Sequence, residues 1–182
     1  MRFAPEAPTV VSDPCSLKPI TVVPASQIGK ELRDAIGAAE PERMRTFQVV
    51  RLLLCGEKRR SNLKYALDQY RLVPHIRWHF SKDQIFTIYM NRVYFADDIH
   101  GAEDASRHFF GKRAKELSVA NAALLAGMIR APSRLSPYRN PEGALLRRNQ
   151  VIEAMQAQGN LSAEEARQAE REPFGVLSIA TK

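Results

Sequence analysis

The feature that most constrains the fold is an uncharged run rich in alanine and leucine, from Val119 to Ile129. Ser118 stands directly before it and is a favourable N-cap residue. The run is apolar on nearly all sides of a helix, and such a helix is stable only when other elements surround it. It therefore predicts a buried central helix around which the remaining chain is arranged.

Apolar residues recur at helical spacing through most of the chain after Ser26. This spacing predicts helices around residues 26–39, 47–54, 63–73, 81–89, 101–110, 140–159 and 162–172. We expect Pro74 to kink or divide the third of these helices, and Gly111 to end the fifth.

Three of the predicted helix starts carry side-chain capping signatures. They are Ser81 with Gln84, Ser162 with Glu165, and Asn140 followed by Pro141. The first two are capping boxes, and the third places an N-cap residue before a proline at the first helical position. Helices are therefore predicted to begin at these three points.

Strand signals are almost absent, since only Ile20 to Val23 suggests a strand. Six of the eleven prolines lie in the first 41 residues, so residues 1–24 are predicted to be an irregular or extended lead-in. The chain of 182 residues is long enough for one domain with a proper core. We predict a mainly α-helical single domain over residues 25–175, followed by a tail over residues 176–182.

The net charge of +7 is concentrated in one segment. Ten lysines and arginines but only two acids lie between Arg43 and Lys82. Such a block is typical of proteins with an anionic partner, which here could be nucleic acid, an anionic membrane surface or a phosphate-bearing substrate. A solvated helix face is the alternative, and composition does not choose among the four.

Other classes of protein are excluded or disfavoured by simple patterns. No stretch approaches the roughly 18 consecutive apolar residues of a membrane span, and residues 1–16 have no apolar segment typical of a secretory signal. Cys15 and Cys55 are too few for a disulfide scaffold and are predicted to be free thiols. The four histidines lack metal-ligand spacing, so no metal site is predicted from them.

From Ser81 onward the sequence resembles the glycosyltransferase family 51 domain, the peptidoglycan glycosyltransferase module of class A penicillin-binding proteins and of monofunctional transglycosylases. The matching stretches are SKDQIFTIYMNRVYF (81–95), GAEDASRHFFGK (101–112), LSVANAALLAGMIRAPSRLSPYRNP (117–141) and RRNQVIEAM (147–155). Residues 20–40 are also similar to the family's approach to its first catalytic motif. The resemblance covers about residues 20–175.

This resemblance implies a lysozyme-like helical fold that binds lipid II and polymerises it into glycan strands, with release of undecaprenyl pyrophosphate. The reaction requires a base for the acceptor hydroxyl and either cationic groups or a divalent cation, Mg or Mn, for the departing pyrophosphate. The implied location is the outer face of the cytoplasmic membrane. The implied partners are lipid II, the growing glycan strand, the anionic membrane surface and penicillin-binding proteins.

The first catalytic motif of the family is only partly present. Glu40 matches its general base, whereas Pro41 and Met44 stand where the family has Asp and Phe. Only five residues separate Glu40 from Thr46, the first match to the second motif, and the family has a much longer loop there.

Only isolated positions of the next two motifs can be matched. In the second motif Thr46, Gln48 and Arg51 match a Thr, a Gln and a Lys, and the resemblance implies substrate contact for all three. Gln69 falls at the Glu of the third motif, which implies a catalytic position. A neutral amide there keeps its hydrogen bonding but cannot hold a negative charge.

The later motifs match better. Tyr89 and Asn91 match the Tyr-x-Asn of the fourth motif, Arg130 matches a lysine that contacts pyrophosphate, and Arg147 belongs to the fifth motif. The resemblance implies substrate binding for all four. The alternatives are structural: a buried ring, a helix-ending amide, a cation at a helix C-terminus and an ion pair, in the same order.

Three functions follow for the chain. The first is a peptidoglycan glycosyltransferase with Glu40 as base and with Arg51 and Arg130 on the pyrophosphate. The second is a non-catalytic relative that binds a lipid, a glycan or a penicillin-binding protein as a scaffold, which the altered motifs favour. The third, a nucleic-acid-binding protein, is disfavoured because the basic block lacks a recognition helix or an aromatic platform.

Overall fold

The fold is described by a computed structural model. It describes residues 9–12, 19–53 and 62–177, with the backbone only at 9–12, 19–20, 43, 52–53 and 62–69. The predicted thiols Cys15 and Cys55 lie outside the described residues, as does most of the predicted tail.

The described chain is mainly helical, which confirms the predicted fold class. Its two strand pairs are β1 (Thr9–Ser12) with β2 (Pro19–Val22) and β3 (Tyr94–Ala96) with β4 (Ile99–His100). Its α-helices are α1 (Lys30–Ala39), α2 (Glu42–Leu53), α3 (Asn62–His79), α4 (Lys82–Arg92), α5 (Ala102–Phe110), α6 (Val119–Met128), α7 (Pro141–Ala157) and α8 (Ala163–Arg171). Short 3-10 turns occupy Ala25–Gln27 and Ala114–Glu116.

Helix α6 is the predicted central helix. Every residue from Ala120 to Met128 is buried, and α6 packs chiefly against α7 and α1. Its small alanines allow those two helices to approach closely, while Leu124, Leu125 and Met128 fill the space between them. Complete burial of each such large side chain stabilises a fold by about 1.5–3 kcal/mol. Helices α1 and α7 are therefore held in fixed positions relative to each other.

The predicted capping signatures form in the structure. The Ser81 hydroxyl accepts a hydrogen bond from the backbone N–H of Gln84, and the Gln84 side chain accepts one from the N–H of Ser81. Ser162 and Glu165 make the same pair of bonds at the start of α8. These boxes confirm the predicted starts of α4 and α8.

Two other predicted helix boundaries also agree with the structure. The Asn140 side chain accepts from the N–H of Gly143 at the start of α7. Gly111 ends α5 with φ of 68°, a left-handed conformation that glycine adopts without steric cost.

The predicted start of the first helix was wrong. The first helix begins at Lys30 and not near Ser26, because Ile28 is extended and Gly29 lies within 3.1 Å of the backbone of the Ala114–Glu116 turn, measured from an ideal Cβ. Pro74 was expected to kink or divide the third helix; it does not divide α3, which continues to His79. Pro74 is exposed, so the carbonyl that loses its helical hydrogen bond can be solvated.

Strands are more numerous than predicted. The predicted strand at Ile20–Val23 is present as β2, but its partner β1 and the hairpin β3–β4 were not predicted. Strands of two to four residues are too short to show a clear alternation. The hairpin turn has positive φ at Asp97 and Asp98, the conformation that aspartate tolerates in tight hairpin turns.

Strand β2 and the residue after it are bound to the helical body. The N–H of Thr21 donates to the Asp104 carboxylate on α5 at 2.7 Å, and the N–H of Val23 donates to Asn91 on α4 at 2.7 Å. The predicted domain boundaries remain a prediction. Within the part of the chain described, no helix is both long and apolar enough to span a membrane.

Candidate active site

The Glu40 carboxylate lies where α1 turns into α2. Glu40 is the C-cap of α1, and its N–H donates to the carbonyl of Ile36 at 3.0 Å. Pro41 follows directly and accepts the first backbone hydrogen bonds of α2 from Met44 and Arg45. The side chain of Glu40 is only 8 % exposed, so this short connection places a carboxylate inside the protein.

Two side chains donate hydrogen bonds to the same oxygen of this carboxylate. The hydroxyl of Tyr89, on α4, donates to Oε2 of Glu40 at 3.0 Å. The amide nitrogen of Gln48, on α2, donates to the same oxygen at 3.4 Å. The carboxylate at the end of α1 is thus held by donors on α2 and α4. Tyr89 itself is fully buried.

The surroundings of Glu40 change its acid–base behaviour. Burial raises the pKa of the Glu40 carboxyl above its ordinary value, because the charged form is poorly solvated. The Tyr89 hydrogen bond and the charges of three arginines, Arg45, Arg130 and Arg147, act in the opposite direction but are weaker than burial. Burial and the Glu40 charge raise the pKa of Tyr89, which therefore remains a donor.

The three arginines come from distant parts of the sequence. Arg45 is one turn into α2, Arg130 follows the end of α6, and Arg147 is on α7. Burial and the nearby Arg130 lower the pKa of Arg147, while Glu40 raises it. The packing of α1 and α7 on α6 therefore brings cations from both halves of the chain to one carboxylate.

Arg147 is seated against a glycine of the central helix. An ideal Cβ built on Gly127 would lie 2.9 Å from Cγ of Arg147, so only glycine allows this approach. The Nη1 group donates to the Gln150 side chain at 3.1 Å. The Nε atom is buried and has no hydrogen-bond partner among the described residues.

A cavity of about 420 Å³ opens beside Arg130 and Arg147. Its lining residues are Arg130, Ala131, Arg134, Leu135, Gly143, Leu146, Arg147 and Gln150. The lining contains three arginines and no acid, so it favours an anion. We call it the arginine cavity.

A second cavity, of about 230 Å³, has Arg45 in its lining and is of mixed charge. Arg33 pairs with Asp83 at 2.7 Å, and Lys82 pairs with Glu42 at 2.9 Å. Because its cations are paired with acids, this cavity has little excess positive charge.

Two residues predicted to bind substrate, Thr46 and Asn91, form hydrogen bonds within the fold. Thr46 is buried, and its hydroxyl donates to the carbonyl of Glu42 within α2 at 3.2 Å. The Asn91 amide donates to the carbonyls of Val23 and Thr87 and accepts from the N–H of Val23. Asn91 therefore anchors the chain after β2 to α4.

The substrate contact of Arg51 and the catalytic position of Gln69 stay predictions. Arg51 is exposed and lies six residues after Arg45, which on an α-helix is about 240° around and about 9 Å along the axis. The charge from α2 that acts on Glu40 belongs to Arg45. The side chain of Gln69 lies outside the described residues.

The residues of the site do not suit a divalent cation. Among the described residues, no three or more His, Cys, Asp or Glu side chains are grouped closely enough to hold a metal ion. Glu40 is a single carboxylate surrounded by arginines, and these would repel a cation.

Sequence reasoning missed Arg45 and Arg134. Arg45 belongs to the basic block but falls in the degenerate stretch between the first two motifs. Five residues after the Glu40 C-cap is one turn into the following helix, and that spacing was the available signal. Arg134 lies in the matching stretch 117–141, four residues after Arg130, but it was given no site role of its own.

Comparisons with known proteins identify the family of the chain. The family model described as Transglycosylase matches residues 44–156. Penicillin-binding protein 1C of Escherichia coli K12 is 38 % identical over 129 residues, covering 71 % of this chain and 16 % of that protein. Penicillin-binding protein 1A of Streptococcus oralis is 41 % identical over 101 residues, covering 54 % of this chain and 16 % of that protein.

A solved structure supports the same fold. Penicillin-Binding Protein 1A from Haemophilus influenzae superposes with a TM-score of 0.61 and 22 % identity, covering 94 % of this chain and 21 % of that one. The chain belongs to the transglycosylase family, glycosyltransferase family 51, because the family match spans more than half of it. It spans about a sixth of the length of these penicillin-binding relatives.

The seat of Arg147 predicts opposite effects for two glycine-to-alanine variants. Gly37→Ala, in α1, meets nothing within 4 Å and should raise the free energy of unfolding by about 0.5–1 kcal/mol through helix propensity. Gly127→Ala should lose this gain or destabilise the fold, because the new Cβ overlaps Arg147. Urea denaturation measures both. An equal gain in the two variants would mean that Arg147 does not pack on Gly127.

Proposed function

We propose that this chain is a peptidoglycan glycosyltransferase that binds lipid II, with the diphosphate in the arginine cavity and the reacting sugar beside Glu40. The observation that carries the proposal is a buried carboxylate, Glu40, held by two hydrogen bonds, together with a cavity whose Arg130 and Arg147 also act on the pKa of Glu40. Three cations near one buried carboxylate with a raised pKa suit a reaction that removes a proton and releases a diphosphate.

In this mechanism Glu40 is the general base. The acceptor hydroxyl oxygen attacks the anomeric carbon of the donor, its proton passes to the Glu40 carboxylate, and the configuration inverts. Tyr89 and Gln48 both donate to Oε2 of Glu40. Because Oε2 is already engaged, we assign the transferred proton to Oε1. The raised pKa makes the carboxylate a better proton acceptor than an exposed glutamate.

The arginines stabilise the leaving group. As the bond between the anomeric carbon and the phosphate oxygen breaks, its electron pair remains on that oxygen and the diphosphate gains negative charge. Arg130 and Arg147 line the cavity and their charges also act on Glu40, which supports a role for them between the proposed base and the diphosphate. A guanidinium suits this role because its planar donors bind phosphate oxygens in pairs.

The test is lipid II polymerisation by the parent chain and by Glu40→Gln. We expect polymer from the parent and a loss of about 10²–10⁴-fold in the variant, the usual contribution of a positioned base. The acid limb of the parent pH–rate profile should lie above the ordinary glutamate pKa of 4.5, since the base is active only when deprotonated.

Matched variants make the result specific. Arg147→Gln should lower the rate, whereas Arg167→Gln, an equal charge change at an exposed residue of α8, should leave it within about twofold. Equal polymer from the parent and Glu40→Gln would remove Glu40 from the mechanism.

The second candidate, a non-catalytic scaffold that binds lipid, glycan or a penicillin-binding protein, is favoured by one specific observation. Glu40 is only 8 % exposed and already accepts two hydrogen bonds, which restricts the access of an acceptor hydroxyl. Tight lipid II binding by both proteins with polymer from neither would support this candidate over the first.

We also propose that the chain contacts an anionic membrane surface through one exposed face of α3, on the outer side of the cytoplasmic membrane. Tyr70, Pro74, Arg77 and Trp78 lie at i, i+4, i+7 and i+8 on that helix, and all are exposed. Trp78 is 86 % exposed and Tyr70 is 69 % exposed, which is unusual for large aromatic side chains. Aromatic side chains interleaved with cations are typical of surfaces that enter the lipid headgroup layer.

Co-sedimentation with vesicles tests this membrane contact. Trp78→Ser should weaken binding to phosphatidylglycerol vesicles by about tenfold through lost apolar burial. Leu177→Ser, which removes an exposed apolar side chain elsewhere, should have little effect. Equal losses in the two variants, or equal binding of the parent to phosphatidylcholine, would contradict an anionic membrane contact at α3.

A further inference from the structure

The arginine cavity contains a cation that neither the family motifs nor the Glu40 environment accounts for. Arg134 lines it together with Arg130 and Arg147. We propose that Arg134 is a third phosphate-binding side chain and contacts the phosphate that carries the lipid. This inference rests on the proposed function, since it assigns one residue to one part of the same substrate.

Charge balance is the first argument. The cavity lining has three arginines and no carboxylate. A diphosphate that is esterified at both ends carries two negative charges at neutral pH. Breaking the sugar bond leaves a lipid diphosphate with up to three. Three guanidinium groups therefore match the departing product better than the intact substrate, which is the condition for stabilising a charge that develops during reaction.

The loop that carries Arg134 is held firmly in place. The Asn140 side chain donates to the carbonyl of Arg134 at 3.3 Å while also capping α7 through the N–H of Gly143. Within the loop, the N–H groups of Arg134 and Leu135 both donate to the carbonyl of Ala131. The same asparagine thus fixes Arg134 to the start of the helix that carries Arg147.

A second tie holds the other side of this loop. Asp97, in the β3–β4 turn, accepts hydrogen bonds from the hydroxyl of Ser136 and from the guanidinium of Arg139 at 3.1 Å. Asp97 has a positive φ, as is typical of a tight two-residue hairpin turn. The loop is tied at both ends, and Arg134 itself is an exposed side chain facing the cavity it lines.

The two ends of the arginine cavity differ in chemistry. Arg130 and Arg147 act on the pKa of Glu40, so they mark the sugar end. Leu135 and Leu146 line the same cavity, and Leu146 is 63 % exposed. An exposed leucine beside three arginines suits a ligand whose charged group continues into a hydrocarbon chain. Arg134 precedes Leu135 directly, which places it at the phosphate next to that chain.

The test measures the binding of farnesyl pyrophosphate and of farnesol to the full chain. Arg134→Gln should weaken farnesyl pyrophosphate about tenfold and leave farnesol within twofold, because farnesol lacks the phosphates but keeps the lipid. Arg167→Gln, an equal charge change on α8 outside the cavity, should change neither. Equal losses for both ligands in Arg134→Gln would mean that Arg134 only supports the loop, and would overturn the proposal.

A third variant separates this proposal from the proposed function. If Arg147→Gln weakens farnesyl pyrophosphate while Arg134→Gln binds it like the parent, the third phosphate contact is refuted and the site stands. If neither variant weakens it, the diphosphate site itself is refuted, and the proposed function fails with it.

Discussion

A single carboxylate, Glu40, is removed from water at the point where α1 becomes α2, and the rest of the site is arranged around its charge. Burying a carboxylate is costly unless hydrogen bonds and opposite charges compensate it. Here Tyr89 and Gln48 donate to one of its oxygens, and Arg45, Arg130 and Arg147 supply positive charge. Burial still exceeds these effects, so the pKa of Glu40 is raised. The charged form of this carboxylate is thus only partly compensated by its surroundings.

The distances in this site depend on α6, a helix of uncharged and mostly apolar residues. Helix α6 holds α1 and α7 against its alanine-rich surface. This contact sets the separation between Glu40, at the end of α1, and Arg147, on α7. Gly127 provides the seat for the arginine stem. A loss of packing here would separate the base from the cations without altering either residue.

Much of this fold could be predicted from local signals, and the site only in part. The uncharged run at Val119–Ile129 and the Ser81 and Ser162 capping boxes act within a few residues, so the sequence alone reveals them. Arg45 could not be separated from its neighbours in the basic block, because its contact with Glu40 depends on how α2 leaves α1. Asn91 shows the reverse case, since its motif position implied substrate contact while tertiary packing ties it to Val23.

Arginines on α2 and α7 therefore both lower the pKa of the Glu40 carboxyl. This effect on the pKa can be measured without substrate. NMR titration of the ¹³C-labelled carboxyl of Glu40, assigned with Glu40→Gln, gives its pKa directly. The pKa should exceed 4.5 in the parent, rise further in Arg147→Gln and stay unchanged in Arg51→Gln. A Glu40 pKa that does not respond to the loss of Arg147 would show that the two halves of the chain do not meet at this carboxylate.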